Sequence, residues 1–219
     1  MKSFSPEFLS EIKITSEILQ LVRIIGEYKG KQDMFKKQSP EVLENLRQVA
    51  IIQSVESSNR LEQVIADPKR LRQILKEKIK PENRSEEEIA GYRDVLDTIH
   101  NSYDNIHLNP NIILQFHRDL MRYTPNRGGD WKRIQNLITQ KDINGERITF
   151  TPLEPIFVDE YVRELQIRFD EEINSGKIEP LILIPLYILD FLCIHPFSDG
   201  NGRTARLLAL LLLYHQGYE

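Results

Sequence analysis

Two apolar runs, separated by a short polar loop near the C-terminal end, constrain this chain more than any other feature. The first, Leu181 to Ile194, is broken only by Pro185 and Asp190; the second is Leu207 to Leu213. A membrane span needs about 20 apolar residues, and shorter runs of this kind are typical of buried core helices. Both are therefore read as helices of a water-soluble core, and no membrane association is expected.

Most of the remaining sequence carries helical periodicity. Val42, Leu46, Val49 and Ala50 follow the i, i+4, i+7, i+8 pattern of an apolar helix face. They predict a helix from Pro40 into the early 60s, with Ser39 as N-cap and Pro40 at the first helical position. Val162, Leu165, Phe169 and Ile173 line a face of another helix, with Gly176 as its C-terminal stop. Lys80 to Ser85 reads as a polar, proline-marked loop, and Asn109-Pro110-Asn111 as a turn. One segment breaks the pattern. Leu137-Ile138-Thr139-Gln140 and Arg147-Ile148-Thr149-Phe150 are β-prone and flank Ile143-Asn144-Gly145-Glu146, and Asn-Gly is a strong hairpin signal. The expected fold is all-α, a helical bundle with one small β-hairpin. A lone hairpin is marginal in water and must lean on the body or on a ligand, which suits a flap.

A length of 219 residues suits one domain, or one domain with a helical extension. The net charge of −4 leaves no basic footprint for nucleic acid or an anionic membrane. Cys193 is the only cysteine, so no internal disulfide can form, and a reducing, cytoplasmic setting is expected. The N-terminus lacks the apolar stretch of a signal peptide.

The chemistry is concentrated in the loop His195-Pro196-Phe197-Ser198-Asp199-Gly200-Asn201-Gly202-Arg203, with Arg206 one turn further on. Pro196 disfavours helix at His195. Gly200 and Gly202 allow a ligand to approach the backbone, and the exposed N–H groups at the start of the following helix form an anion site. Arg203 and Arg206, three residues apart, put two guanidinium groups on one face of that helix, which suits a polyphosphate. Asp199 offers a hard oxygen for Mg²⁺. His195 is the only side chain in the loop able to act as a base at neutral pH.

The order and spacing of these residues resemble the signature of the Fic family, His-x-Phe-x-Asp/Glu-Gly-Asn-Gly-Arg-x-x-Arg. His195, Phe197, Asp199, Gly200, Asn201, Gly202, Arg203 and Arg206 match it, and the resemblance extends back to about Gly91. It implies a protein adenylyltransferase that moves AMP from ATP to a Ser, Thr or Tyr hydroxyl of a target protein, itself included. His195 would take the hydroxyl proton and Asp199 would hold Mg²⁺. Gly200, Asn201 and Gly202 would form an anion hole, Arg203 and Arg206 would hold the outer phosphates, and Phe197 would anchor the loop in the core. The hairpin resembles the family's flap, in which Leu137, Ile138, Thr139, Arg147, Ile148 and Thr149 would position the target segment by backbone pairing. Ser58-Asn59-Arg60-Leu61-Glu62 resembles the family's inhibitory motif, Ser/Thr-x-x-x-Glu-Gly/Asn. It implies a Glu62 carboxylate paired with Arg206 where the γ-phosphate would bind; Gln63 departs from the Gly or Asn of that motif. The implied organisation is an N-terminal helical region over residues 1–90, carrying the inhibitory helix, and a Fic core over 91–219. The resemblance also implies a further core helix beyond Glu219, so the chain is read as truncated there, and a homodimer is among its expected states. Two alternatives remain at this point. The same fold could remove AMP or transfer another phosphate-containing group, or it could serve as a non-catalytic nucleotide-binding regulatory module.

The other chemically suggestive residues have simpler readings. Cys193 is expected to be a buried structural thiol at the end of an apolar helix. His100, His107, His117 and His215 have no metal-ligand spacing and are read as surface or packing residues. Glu86-Glu87-Glu88 is expected to be the solvated start of a helix.

Overall fold

The computed structural model describes residues 3–38, 40–141, 145 and 147–218. The described residues form nine α-helices and one two-stranded antiparallel sheet. The helices are α1 (Pro6–Glu11), α2 (Ser16–Gln38), α3 (Pro40–Leu61), α4 (Pro68–Glu77), α5 (Arg84–Ser102), α6 (Pro110–Leu120), α7 (Val158–Ser175), α8 (Pro180–Ile194) and α9 (Asn201–His215). The expected all-helical bundle with a hairpin is what the chain forms.

The two apolar runs become the centre of the molecule. α8 packs between α7 and α9, α9 also touches α3, α5 and α6, and α5 lies against α3, α4 and α6. Leu183, Tyr187 and Phe191 of α8 and Leu207, Leu208 and Leu211 of α9 are fully enclosed. α7 buries Val162, Leu165 and Phe169, and Gly176 ends it in the left-handed conformation at φ 64°. Asn109 caps α6 by accepting from the N–H groups of Asn111 and Ile112. α5 runs across residues 90 and 91, and one continuous apolar core includes Ile51, Val55, Leu71 and Ile74 together with residues of α6 to α9.

α3 forms over the expected span, but its inward face is not the one the apolar pattern marks. Val42, Leu46 and Val49 are 56%, 59% and 50% exposed, and Ala50 is exposed as well. The buried positions are Ile51, Val55, Ser58 and Asn59. These repeat the same i, i+4, i+7, i+8 spacing nine residues later, half a turn out of phase at about 100° per residue. These positions lie in the C-terminal half of α3, and two of the four are polar: Ser58 faces the site described below, and the Asn59 side chain donates to the Val55 carbonyl of its own helix at 2.8 Å. The N-cap position, Ser39, lies outside the described residues.

The hairpin pairs β1 (Ile138–Lys141) with β2 (Arg147–Phe150), with Ile138 opposite Phe150 and Thr139 opposite Thr149. Among the described residues these strands pair only with each other. Leu137, exposed, precedes β1 by one residue. At the base, the Gln135 side-chain amide donates to the Pro152 carbonyl at 2.7 Å. Of the tip, Gly145 is at φ 81°, as a primed turn requires of its second residue; Ile143, Asn144 and Glu146 lie outside the described residues. Among the described residues, no helix is long and apolar enough to cross a membrane.

Candidate active site

The loop between α8 and α9 is pinned from three sides. Phe197 is fully buried and stacks on His117 of α6, ring centroids 3.6 Å apart, with Trp131 tilted against it at 5.3 Å. The Asn201 side chain closes the turn on itself. Its Oδ1 accepts from the Phe197 N–H at 2.9 Å and its Nδ2 donates to the Phe197 carbonyl at 2.7 Å. The Asn201 side chain is therefore committed to the loop, leaving only its backbone to face a ligand.

His117 reaches the loop from α6. Its Nδ1 accepts from the Gly129 N–H at 3.0 Å, so Nε2 carries the proton and donates to the Asp199 carbonyl at 3.1 Å. Burial lowers its pKa to about 4, which keeps the ring neutral. Read from sequence as a packing residue, His117 also fixes the loop backbone.

His195 ends α8 in the left-handed conformation, φ 52° and ψ 61°. It is half-buried, and its Nδ1 lies 3.3 Å from the Leu192 carbonyl. A carbonyl can only accept, so Nδ1 holds the proton and Nε2 is left as the basic nitrogen. Burial, and to a lesser degree the charge of Lys132, holds the imidazole pKa below its ordinary value, so the ring is neutral at physiological pH.

α9 then begins at Asn201 with Gly200 as N-cap at φ 76°, and no side chain caps it. Among the described residues, then, no side chain occupies the N–H groups at the start of this helix, an arrangement able to receive an anion. Asp199 is exposed; its Oδ1 accepts from the Gly200 N–H, and its two oxygens lie 3.6 Å from Arg203 Nη2 and Arg84 Nη2.

The two loop arginines diverge. Arg203 is 2% exposed and donates through Nη1 to Glu88 of α5 at 2.7 Å, while Glu88 also accepts from Arg84. Arg206 turns toward α3. Its Nε donates to Ser58 Oγ at 2.6 Å, and its Nη2 donates to the Ser58 carbonyl at 2.9 Å and to Glu62 Oε1 at 2.8 Å. A methyl group added to Gly202 would collide with Glu62 Oε1. The Glu62 carboxylate thus rests against the glycine at the start of α9.

Two expectations are corrected here. Glu86 and Glu88 do belong to a helix start, but both are buried, because each is paired: Glu86 with Arg70, and Glu88 with Arg84 and Arg203. Cys193 is exposed, because Asp190, Phe191 and Ile194 take the inward side of α8. Partial desolvation and the charge of Asp190 push its thiol pKa up, the wrong direction for a nucleophile.

Gln63, where the inhibitory motif carries Gly or Asn, sits at φ 62°. It closes α3 as a left-handed C-cap. The Gln63 N–H donates to the Arg60 carbonyl, and the Val64 N–H to the Asn59 carbonyl. The left-handed conformation disfavours a residue with a Cβ by roughly 1–2 kcal/mol, and the greater chain entropy of glycine offsets roughly 0.5–1 kcal/mol of any relief. Because Gln63 is exposed and has no packing to lose, Gln63→Gly should stabilise the chain by about 0.5–1 kcal/mol. A urea or thermal melt checks this; a variant less stable than wild type would show that the glutamine side chain contributes at this turn.

Comparison with known proteins agrees with the geometry. A family model described as the Fic/DOC family matches residues 107–213. The protein adenylyltransferase fic-1 of Caenorhabditis elegans is 35% identical over 69 residues, 32% of this chain and 13% of that protein. The protein adenylyltransferase Fic of Drosophila erecta is 34% identical over 110 residues, 48% of this chain and 20% of that protein. The chain thus spans about a fifth or less of the length of these two curated relatives. A Fic domain containing signaling protein from Bacteroides thetaiotaomicron superposes with a TM-score of 0.76 at 23% identity, covering 88% of this chain and 73% of that one, which shows a shared fold. With the signature loop intact between α8 and α9 and the fold around it shared, the chain is a Fic family protein whose Fic/DOC domain lies at residues 107–213.

Proposed function

We propose that the chain is a protein adenylyltransferase restrained by Glu62. The observation that supports this best is a free basic nitrogen on His195 close in sequence to an uncapped helix N-terminus. In the proposed step the oxygen of a target Ser, Thr or Tyr hydroxyl attacks the α-phosphorus of ATP, and its proton passes to His195 Nε2. The bond from the α-phosphorus to the bridging oxygen breaks, and pyrophosphate leaves with the electron pair. The backbone N–H groups of Asn201 and Gly202 donate to phosphate oxygens, and that of Gly200 joins them once it leaves Asp199 Oδ1. Arg206, once released from Glu62, takes the outer phosphate, and Arg203 supplies positive charge from its buried pair with Glu88. Transfer of this kind depends mostly on positioning and charge neutralisation.

Among the described residues, no group of three or more His, Cys, Asp or Glu could hold a metal unaided. One exposed carboxylate, Asp199, is nevertheless the donor set that suits Mg²⁺, which commonly takes one or two carboxylates and completes its shell with phosphates and water. When bound, Mg²⁺ would neutralise phosphate charge. Asp199→Ala should therefore abolish the Mg²⁺ dependence of ATP affinity in a calorimetric titration; an unchanged dependence would refute the metal role.

The flap supports the target-binding part of the reading. Among the described residues both outer edges of β1 and β2 are unpaired, and Thr139, Arg147 and Thr149 are exposed. An extended target segment could add to such an edge by main-chain hydrogen bonds. Intact-mass measurement of a candidate target incubated with ATP tests the proposal: one adenylyl group per modified hydroxyl is expected, and a phosphate-sized increment would contradict it. Glu62 resting beside the loop also favours a second reading, in which the carboxylate aligns water to release AMP from a modified target; loss of mass from an adenylylated target would reveal it.

A further inference from the structure

We propose that Lys132 is the positioning residue of His195, an ammonium buried under the catalytic loop that fixes the end of α8 from which the imidazole projects. This inference rests on the reading of His195 as the base. Lys132 is 3% exposed, which for a lysine requires partners. Its Nζ donates to the Asn136 side-chain oxygen at 2.9 Å and to the Ile194 carbonyl at 3.3 Å. Ile194 is the last residue of α8 and the neighbour of His195, so the ammonium meets the negative end of that helix.

The contact belongs to a strap. The Lys132 N–H donates to the Pro196 carbonyl at 2.8 Å, and Asn136 Nδ2 donates to the Phe197 carbonyl at 3.1 Å. With Trp131 against Phe197, the segment 131–136 grips the carbonyls of Ile194, Pro196 and Phe197 on either side of His195. His195 holds a left-handed backbone, which is disfavoured for a residue with a Cβ, and the strap supports it there. The same strap continues into β1, so it joins the flap to the catalytic loop.

The charge matters as well as the hydrogen bonds. The charges acting on the imidazole are Lys132, from the strap, and Glu62, from the end of α3, with opposite signs: Lys132 disfavours the imidazolium and Glu62 favours it. Lys132 is itself partly desolvated, which pushes its own pKa down. A buried ammonium beside a base that must stay neutral keeps His195 able to accept a proton at lower pH.

The test is an NMR pH titration of the His195 ring in the 219-residue chain, which reads the ring directly and so stands whether or not AMP is transferred. In wild type the ring should titrate below the ordinary histidine range. Lys132→Gln, which keeps a donor and removes the charge, should move the midpoint up, and Lys132→Arg should restore it. In the transfer assay Lys132→Gln should lose activity at the acid end of the profile and keep its high-pH plateau, whereas Lys132→Met, which also loses the donor, should lower the plateau. A Lys132→Gln midpoint superimposed on wild type, or one equally displaced in Lys132→Arg, would overturn the proposal and leave Lys132 with a packing role. If these variants do not fold, the wild-type Lys132 side-chain resonances should show an inflection at the His195 midpoint, and its absence would overturn the proposal equally.

Discussion

Replacing His195 with alanine should lower AMP transfer about 10²–10⁴-fold, the usual contribution of a general base, and leave nucleotide affinity close to wild type. The two effects separate because the residues differ. The groups proposed to hold phosphate are the N-terminus of α9 and the arginines of that helix, and none of them is hydrogen-bonded to the imidazole. The αL backbone of position 195 also relaxes little on substitution, since Pro196 and the strap at Lys132 hold both sides of it. Single-turnover rates and calorimetric ATP binding on the same preparation make the comparison. Residual transfer within threefold of wild type would remove His195 from the mechanism.

Glu62→Gly should raise transfer. The Glu62 carboxylate and Ser58 together satisfy Arg206, and both partners of the ion pair are partly exposed, at 31% for the Arg206 side chain and 39% for that of Glu62. Such a pair is worth about 0–1 kcal/mol to stability, so the melting temperature should hardly move. Its expected effect on function is larger, because in the proposed function the carboxylate competes with phosphate for the guanidinium. Coupling between sites of this kind is typically about 1–3 kcal/mol, so a gain of roughly 5–150-fold is expected. Arg206→Ala should not reproduce the gain, since it removes the clamp along with the anchor of the brake, and the double variant should behave as Arg206→Ala alone. Loss of the Glu62 charge should also extend activity to lower pH, because that charge favours the imidazolium of His195. A Glu62→Gly rate at or below wild type would rule out the brake.

The parts of the site that proved legible in the sequence are those carried by contiguous residues. His195 to Arg206 is one loop and the start of one helix, and Pro196 and Gly200 shape the backbone where they stand. The hairpin was legible from Asn-Gly between β-prone runs, and the Glu62–Arg206 pairing from a resemblance at each end. What escaped was chosen by packing between distant segments. Glu88 meets Arg203 across 115 residues, and Lys132 reaches the Ile194 carbonyl across 62. No local pattern distinguishes a buried, paired Glu88 from a solvated one. The face of α3 was misread for the same reason: Val42, Leu46 and Val49 are the more apolar set, yet Ser58 turns inward because Arg206 of α9 is there to receive it. The polar character that hides such a face from a hydrophobic pattern is what makes it part of the site.

The central claim, AMP transfer by the α8–α9 loop under restraint by Glu62, is tested most directly by incubating the Glu62→Gly protein with ATP labelled at either the α- or the γ-phosphate. Protein-bound label should appear from α-labelled ATP only, faster than in wild type, and should vanish in the Glu62→Gly, His195→Ala double variant. Label arriving from γ-labelled ATP, or transfer that survives loss of His195, would contradict the account.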